Sequence, residues 1–442
     1  MTPSLKPYTA NKPSGVEWLG DIPEGWEVRK LKYLVNLLTQ KVNSLEIKVG
    51  LENIESETGR YIESDSDFDG DGVPFRSGDI LYGKLRPYLA KVLLVNMCGL
   101  AVGDFFVLRP LPIVSPGYLQ YKLLDPMFTM LSNGSTFGAK MPRVGWDFMG
   151  NVKFSLPDLY EQNLIANYLD RETAHIDALI AEKERMLALL EEKRAALINH
   201  AVTRGLNPNV HLKPSGIEWL GDIPEGWEIR TLKRVSSRIY TGTTPTASYM
   251  DGTLTQTSIW YTPGDFQNGR KLTDSKRRIP IEAVEDKVAK VFPPNSIMVI
   301  GIGATLGKVA TSPVEFSANQ QINVILPSDA ISYEFLLFVL QGYENIFHAH
   351  ANSATLAILN QERLGAIQIP FPPLEEQILI NSKIKEKQSA ECEIKEELSD
   401  SISLLKERRS ALITAAVTGQ IKIGHGHKIE GEHHEIGTSQ PC

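Results

Sequence analysis

Residues 12–32 read KPSGVEWLGDIPEGWEVRKLK, and residues 213–233 read KPSGIEWLGDIPEGWEIRTLK. Eighteen of the twenty-one positions are identical, and two of the three differences exchange Val for Ile. The chain is therefore an internal duplication with an offset of 201 residues. A solenoid repeat is only about 20–50 residues long, so the duplicated unit is the size of a domain. Each copy brings two Trp anchors, Trp18 and Trp26 or Trp219 and Trp227, and a rigid Ile-Pro step.

Downstream of each copy the texture turns helical. Residues 158–204 contain neither Pro nor Gly, and Ile165, Leu169, Ile176, Ile180, Leu187, Leu190 and Leu197 fall at helical spacing. Pro157 before and Gly205 after punctuate a long helix. Residues 374–418 repeat the pattern between Pro373 and Gly419. The two stretches match without a gap: Leu159, Glu161 and Gln162 answer to Leu374, Glu376 and Gln377, and Arg194 to Arg409. A paired seam tolerates substitutions but not a length change in one partner. Two long helices forming an antiparallel coiled coil about a pseudo-twofold axis are expected, holding two heads at a fixed spacing.

Between the repeated segment and the helix, each copy carries an insert of mixed α/β character. Runs such as Val92-Leu93-Leu94-Val95 and Phe105-Phe106-Val107-Leu108, divided by Gly, Pro, Asp and Asn, predict strands and turns. The inserts share little identity, and the second is 14 residues longer, so the frame is duplicated while the inserts have diverged. The expected division is 1–155 first head, 156–206 first spacer helix, 207–370 second head, 371–420 second spacer helix, and 421–442 a disordered tail holding His425, His427, His433 and His434.

Composition is that of a soluble globular protein with more than one domain: 442 residues, 42% hydrophobic and 22% charged. No apolar run reaches the roughly 18 residues of a membrane span, and the first residues lack a signal core, which points to the cytoplasm. Cys98, Cys392 and Cys442 are scattered, with no disulfide framework or metal-ligand spacing, so free thiols are expected. The acidic stretch 63–71 reads as a solvated loop, without the bidentate Glu that a calcium loop requires. The net charge of −7 does not exclude a nucleic-acid partner, because residues 158–204 hold nine acids against six bases while 234–370 balance eleven against eleven.

Catalytic motifs fail on inspection. The run 301–308, GIGATLGK, has Ile302 and Val309 where a phosphate loop needs Gly and Ser or Thr, and Leu306 where a dinucleotide fingerprint needs its third Gly. What remains are basic, turn-flanked segments with aromatics or amides beside them. In the first insert these are Tyr82, Lys84 and Arg86, with Lys140 and Arg143 further on. In the second they are Arg270, Lys271, Arg277, Arg278, Thr305 and Lys308, with the amides Asn319, Gln320 and Gln321. Lys308, after Gly307, reads as the counterpart of Lys84 after Gly83. Lys84 and Arg86 share a face if their segment is extended. Cations of this kind contact phosphates, and Arg, Asn and Gln can pair with base edges.

These residues resemble the specificity subunit of a type I restriction-modification system. The resemblance is carried by the paired KPSG(V/I)EWLGDIPEGWE(V/I)R segments, by the helix starts at 156–162 and 372–377, by the helix ends Ala-Leu-Ile-x-x-Ala-Val-Thr at 196–203 and 411–418, and by 78–92 and 303–310 in the inserts. It implies two target-recognition domains, each reading one half of a split site in double-stranded DNA, and a subunit with no catalytic site or cofactor of its own. It also implies two methyltransferase subunits that use S-adenosylmethionine to methylate adenine, and restriction subunits that use ATP and Mg²⁺. A stand-alone two-headed DNA-binding regulator would bind its site tightly alone. A scaffold for proteins would show no salt-dependent DNA binding.

Overall fold

In the computed structural model, which describes residues 6–43, 47–64, 70–138, 140–246, 249, 257–268, 270–343, 346–347 and 358–424, the repeated segment takes the same form twice. Its Ile-Pro step lies in a short antiparallel ladder, Asn11–Pro13 with Asp21–Pro23 and Leu212–Pro214 with Asp222–Pro224. Its end, Glu27–Lys30 or Glu228–Thr231, pairs with the strand just before a long helix, Lys153–Leu156 or Gln368–Phe371. The segment and that strand thereby close the neck of the insert lying between them.

Two polar residues at each helix start fasten this neck. Trp26 is fully buried and donates its indole N–H to Glu161 at 2.9 Å, and Trp227 donates to Glu376 at 2.9 Å. A buried indole needs such an acceptor. The next residue, Gln162, accepts from the Ser115 amide at 2.7 Å and donates to the Pro157 carbonyl at 2.9 Å. Gln377 does the same with Ser332, at 2.8 Å, and with Pro372, at 2.9 Å. Buried backbone groups outside regular ladders must find partners, and here the side chain of the Glu-Gln pair supplies them.

The chain divides into two compact units, residues 1–184 with 399–442, and residues 185–398. The long helices, Leu159–Arg204 and Leu374–Thr418, pass from one to the other, so each unit holds a mixed α/β head and half of each helix. Within the first unit Asp177 meets Arg409 and Glu184 meets Lys406, one number rising as the other falls, which makes the pair antiparallel. Within the second, Glu191 pairs with Lys395. Both helices end on a left-handed glycine, Gly205 (φ +75°) and Gly419 (φ +80°), packed against the Trp and Pro of a repeated segment. A Cβ on Gly419 would lie 2.4 Å from Pro23. The fold is that of two mixed α/β domains joined by two long antiparallel helices, with the domain-and-helix unit duplicated along the chain.

The heads match in topology where they do not match in sequence. Each has a four-stranded antiparallel sheet, in the order Val35–Leu38, Phe105–Pro110, Ile80–Gly83, Val92–Leu94 in the first unit. The order in the second is Ser236–Thr241, Ile322–Pro327, Ile297–Ile300, Val309–Thr311. Matching strands start 217 residues apart (80 and 297, 92 and 309, 105 and 322), against 201 in the repeated segment. The difference is taken up before Ile297, where the second head adds the strand Arg278–Pro280 and the short helix Ile281–Glu285.

No helix among the described residues is long and apolar enough to cross a membrane. Cys392 is an exposed free thiol, as expected. The tail from 425 onward, and 65–69 of the acidic stretch, lie outside the described residues.

Candidate nucleic-acid interface

In the first unit the chain leaves the central strand Ile80–Gly83 at Lys84 and makes a narrow ribbon with residues 142–144. The Arg86 amide donates to the Pro142 carbonyl at 2.8 Å, and the Val144 amide to the Lys84 carbonyl at 3.0 Å. Phe137 and Arg143 exchange both backbone hydrogen bonds at 3.0 Å. Lys84, Arg86 and Arg143, read as separate patches, are thus carried by one ribbon, with Lys140 exposed close by in sequence.

Charge on this ribbon is arranged unevenly. Asp104 accepts from Arg143 Nε and Nη2 at 3.1 and 2.8 Å and lies 3.8 Å from Lys84 Nζ. The same carboxylate raises the Arg143 guanidinium above its ordinary value through hydrogen bonding and charge. The Lys84 ammonium also lies over the Phe106 ring, 5.7 Å from its centroid. Arg86 and Lys140 are exposed and have no ion pair among the described residues. Exposed apolar side chains, Tyr88, Phe137 and Met141, occur in the same segments.

Two expectations are corrected here. Tyr82 is buried, packed against Phe106 and Phe128, and burial pushes its phenol to about 12, so its ring belongs to the core. All four residues of its strand are buried, so alternation does not bring one face to the surface. Arg86 has φ +50° and ψ +62°, a left-handed corner. The segment is therefore not extended at that point, and the argument from spacing that Lys84 and Arg86 share a face does not hold.

The second unit repeats the backbone of this site with different chemistry. Ile302 bridges Ile358 as Leu85 bridges Arg143, and the Leu359 amide donates to the Gly301 carbonyl at 2.8 Å as Val144 does to Lys84. The Gly301 amide donates to the Gln321 carbonyl at 2.8 Å, as Lys84 does to Asp104 at 2.9 Å. Gly301 therefore stands where Lys84 stands, Gly303 where Arg86 does, Ile358 where Arg143 does and Gln321 where Asp104 does. Lys308, whose carbonyl accepts from the Ile300 amide, occupies the place of Lys91, whose carbonyl accepts from Gly83. This corrects its match with Lys84. A shared Gly-Lys pair suggested the wrong register, and the ladder hydrogen bonds fix the right one.

The remaining residues divide between surface and scaffold. Lys308, Gln320 and Gln321 are exposed, and Thr305 is half-buried with its carbonyl accepting from the Lys308 amide. Asn319 is buried and committed to its own turn, donating to Gln321 Oε1 at 3.1 Å and accepting from the Gln321 amide at 3.0 Å. Arg270 and Lys271 run beside Thr311, while Arg277 and Arg278 lie at the added strand, where Arg278 pairs with Asp274 at 2.6 Å. Another basic group escaped the reading. Arg238 donates to the Tyr240 hydroxyl at 3.2 Å, and Lys290 lies 4.5 Å from the centroid of the same ring. Its only signal was the two-residue spacing of Arg238 and Tyr240 on one strand. No group of three or more potential metal ligands occurs among the described residues.

Comparison with known proteins follows the same lines. The family described as type I restriction modification DNA specificity domain matches residues 224–404. A putative type I restriction enzyme MjaX specificity subunit of Methanocaldococcus jannaschii is 24% identical over 445 residues, covering 92% of this chain and 96% of that protein. The type I restriction enzyme StySPI specificity subunit of Salmonella potsdam is 20% identical over 325 residues, 71% of this chain and 67% of that one. Among solved structures, a chain from work on complex assembly and conformational transition of the type I R-M system is alike in fold, with a TM-score of 0.69 at 18% identity. It covers 90% of this chain and 99% of that one.

Proposed function

We infer that this chain, which is similar over most of its length to a specificity subunit of a type I restriction enzyme, reads a split site in double-stranded DNA, one half with each head. One observation carries this reading. The two heads build the same ribbon on the same sheet, yet present Lys84, Arg86, Asp104 and Arg143 in one and Gly301, Gly303, Gln321 and Ile358 in the other. A scaffold for two identical partners would gain nothing from that difference, and a pair of base readers requires it. The near-identical segments 12–32 and 213–233, by contrast, suit two copies of one partner.

In the reading that follows, two methyltransferase subunits dock on the repeated frame and carry the S-adenosylmethionine chemistry. Restriction subunits with ATP and Mg²⁺ complete the endonuclease. This chain supplies selection. The net charge of −7 requires local cationic surfaces to approach DNA, and binding should weaken steeply with salt in proportion to the phosphates contacted.

Replacing residues 33–155 by the insert of another such subunit tests the reading. The methylated motif of the reconstituted methyltransferase should change in one half-site and keep the other. A change in both halves, or a swapped complex that methylates the original motif, would refute one-head-one-half reading. Tight, specific binding by the chain alone would favour a stand-alone regulator.

A further inference from the structure

We propose that Arg86 is a specificity-determining residue of the first head, reading a guanine edge in its half-site. This rests on the DNA-reading function above and gives it one named contact. Arg86 sits at φ +50° and ψ +62°, in the left-handed region that L side chains enter only at a cost. The fold requires that conformation here in both units, because the matching corner of the second head is also left-handed, at φ +98°. There the residue is Gly303, which adopts it freely. An arginine at the same corner is destabilising for the backbone.

No hydrogen bond of the side chain to a described residue offsets this cost. Among the described residues Arg86 has no ion pair, and it is exposed. Its neighbours Lys84 and Arg143 differ, since Asp104 holds both. The backbone at Arg86, in contrast, is fixed on both sides. Its amide donates to Pro142 at 2.8 Å, its carbonyl accepts from Leu89 at 2.9 Å, and Pro87 follows directly, buried at the start of the turn Pro87–Leu89. A rigid base under an exposed guanidinium is the arrangement that directional recognition needs, since less freedom is lost on binding. Strain retained at an exposed polar residue points to a ligand. The planar fork of Arg matches guanine O6 and N7 in the major groove.

Three chains, wild type, Arg86→Gly and Arg86→Lys, assembled with the methyltransferase, test this on duplexes carrying the methylated motif and each single-base change in the first half-site. Arg86→Gly should melt within about 2 °C of wild type or above it, since strain is relieved. Its affinity for the full site should fall roughly 10- to 100-fold, with discrimination lost at one G·C pair and the second half-site unaffected. Arg86→Lys should keep the salt slope but not restore that discrimination. An equal loss on every sequence, with the salt slope lowered by about one, would mean a phosphate contact and overturn base reading. Unchanged affinity would reduce Arg86 to a structural corner. Either result leaves the two-headed reading standing, whereas a wild-type complex that selects no split site overturns both.

Discussion

Truncating Arg409 to alanine is expected to cost the first unit about 3 kcal/mol or more, whereas the same change at Arg194 should cost less than about 1 kcal/mol. The two arginines occupy equivalent positions on the two long helices, so the contrast is one of surroundings. Arg409 is buried, with Nε donating to Asp177 Oδ1 at 2.9 Å and Nη1 to the Glu57 carbonyl at 2.9 Å. Arg60 holds the other oxygen of Asp177 at 2.7 Å. One side chain therefore ties two helices to a turn that contains a left-handed Glu57 (φ +65°). At the Asp177 position the second unit has Cys392, an exposed thiol, and Arg194 Nε is buried without a hydrogen-bond partner among the described residues.

Removing one partner from a buried ion pair leaves the other charge poorly solvated, at about 3–5 kcal/mol. The low end applies to Arg409 because Asp177 retains Arg60. The site also borders a cleft of about 500 Å³, lined by Glu57, Asp177 and Arg409 among others, through which water can reach the carboxylate. Removing Arg194 deletes a buried donor that had no partner, which is close to neutral. Chemical denaturation with hydrogen exchange read at amides 57–60 separates the units. Equal losses in the two variants would show that the Arg409 cluster is not what holds this turn.

Such clusters show what the sequence could and could not say. The frame was legible because it is repeated: the segment 12–32, the Glu-Gln helix starts and the closing glycines recur with fixed spacing, and all proved to make the same contacts twice. The heads were legible only in part: the runs 92–95 and 105–108 carry the expected strands, but the kinship of the two heads was hidden, because a sheet buried on both faces needs only apolar residues of suitable volume. Ile80–Gly83 (ILYG) and Ile297–Ile300 (IMVI) fill the same strand with different side chains. Identity therefore vanished while topology stayed. The ladder hydrogen bonds that set the match of Lys308 with Lys91 leave no sequence trace, and a nearby Gly-Lys pair misled. Tyr82 was misplaced for the same reason, since flanking glycine and lysine look like a surface loop when the strand's burial is unknown.

The second large effect is expected in the pH dependence of the first unit. Lys122 is buried, with Nζ donating to Ser155 Oγ and to the Val417 carbonyl, both at 2.8 Å. It lies 5.8 Å from the Trp18 ring centroid and 5.6 Å from that of Phe154. Val417 is the penultimate residue of its helix, so its carbonyl is one of the four that the helix itself leaves unpaired. Tyr118 donates to the same oxygen at 3.2 Å. Two acceptors match the two N–H groups of a neutral amine. Burial accordingly lowers the amine from 10.5 to about 7, with Asp125 pulling it upward. The unfolded chain thus binds a proton up to about pH 10.5 that the folded chain releases above about pH 7. Stability must therefore rise with pH across that interval, by about 2 kcal/mol between pH 7 and 9. The equivalent positions in the second unit are apolar, Phe335, Val339 and Pro370 for Tyr118, Lys122 and Ser155. Lys122→Met should remove this slope and leave the unit at least as stable at pH 7, because Tyr118 and Ser155 still donate to Val417. The buried tyrosines do not interfere, since Tyr118 and Tyr82 are both raised above their ordinary value and titrate beyond the window. Denaturation of wild type and variant at pH 7, 8 and 9, taken as a difference so that common groups cancel, reads the effect. Parallel curves would mean that Lys122 stays charged in the folded protein, held by the aromatic rings and Asp125 against its burial.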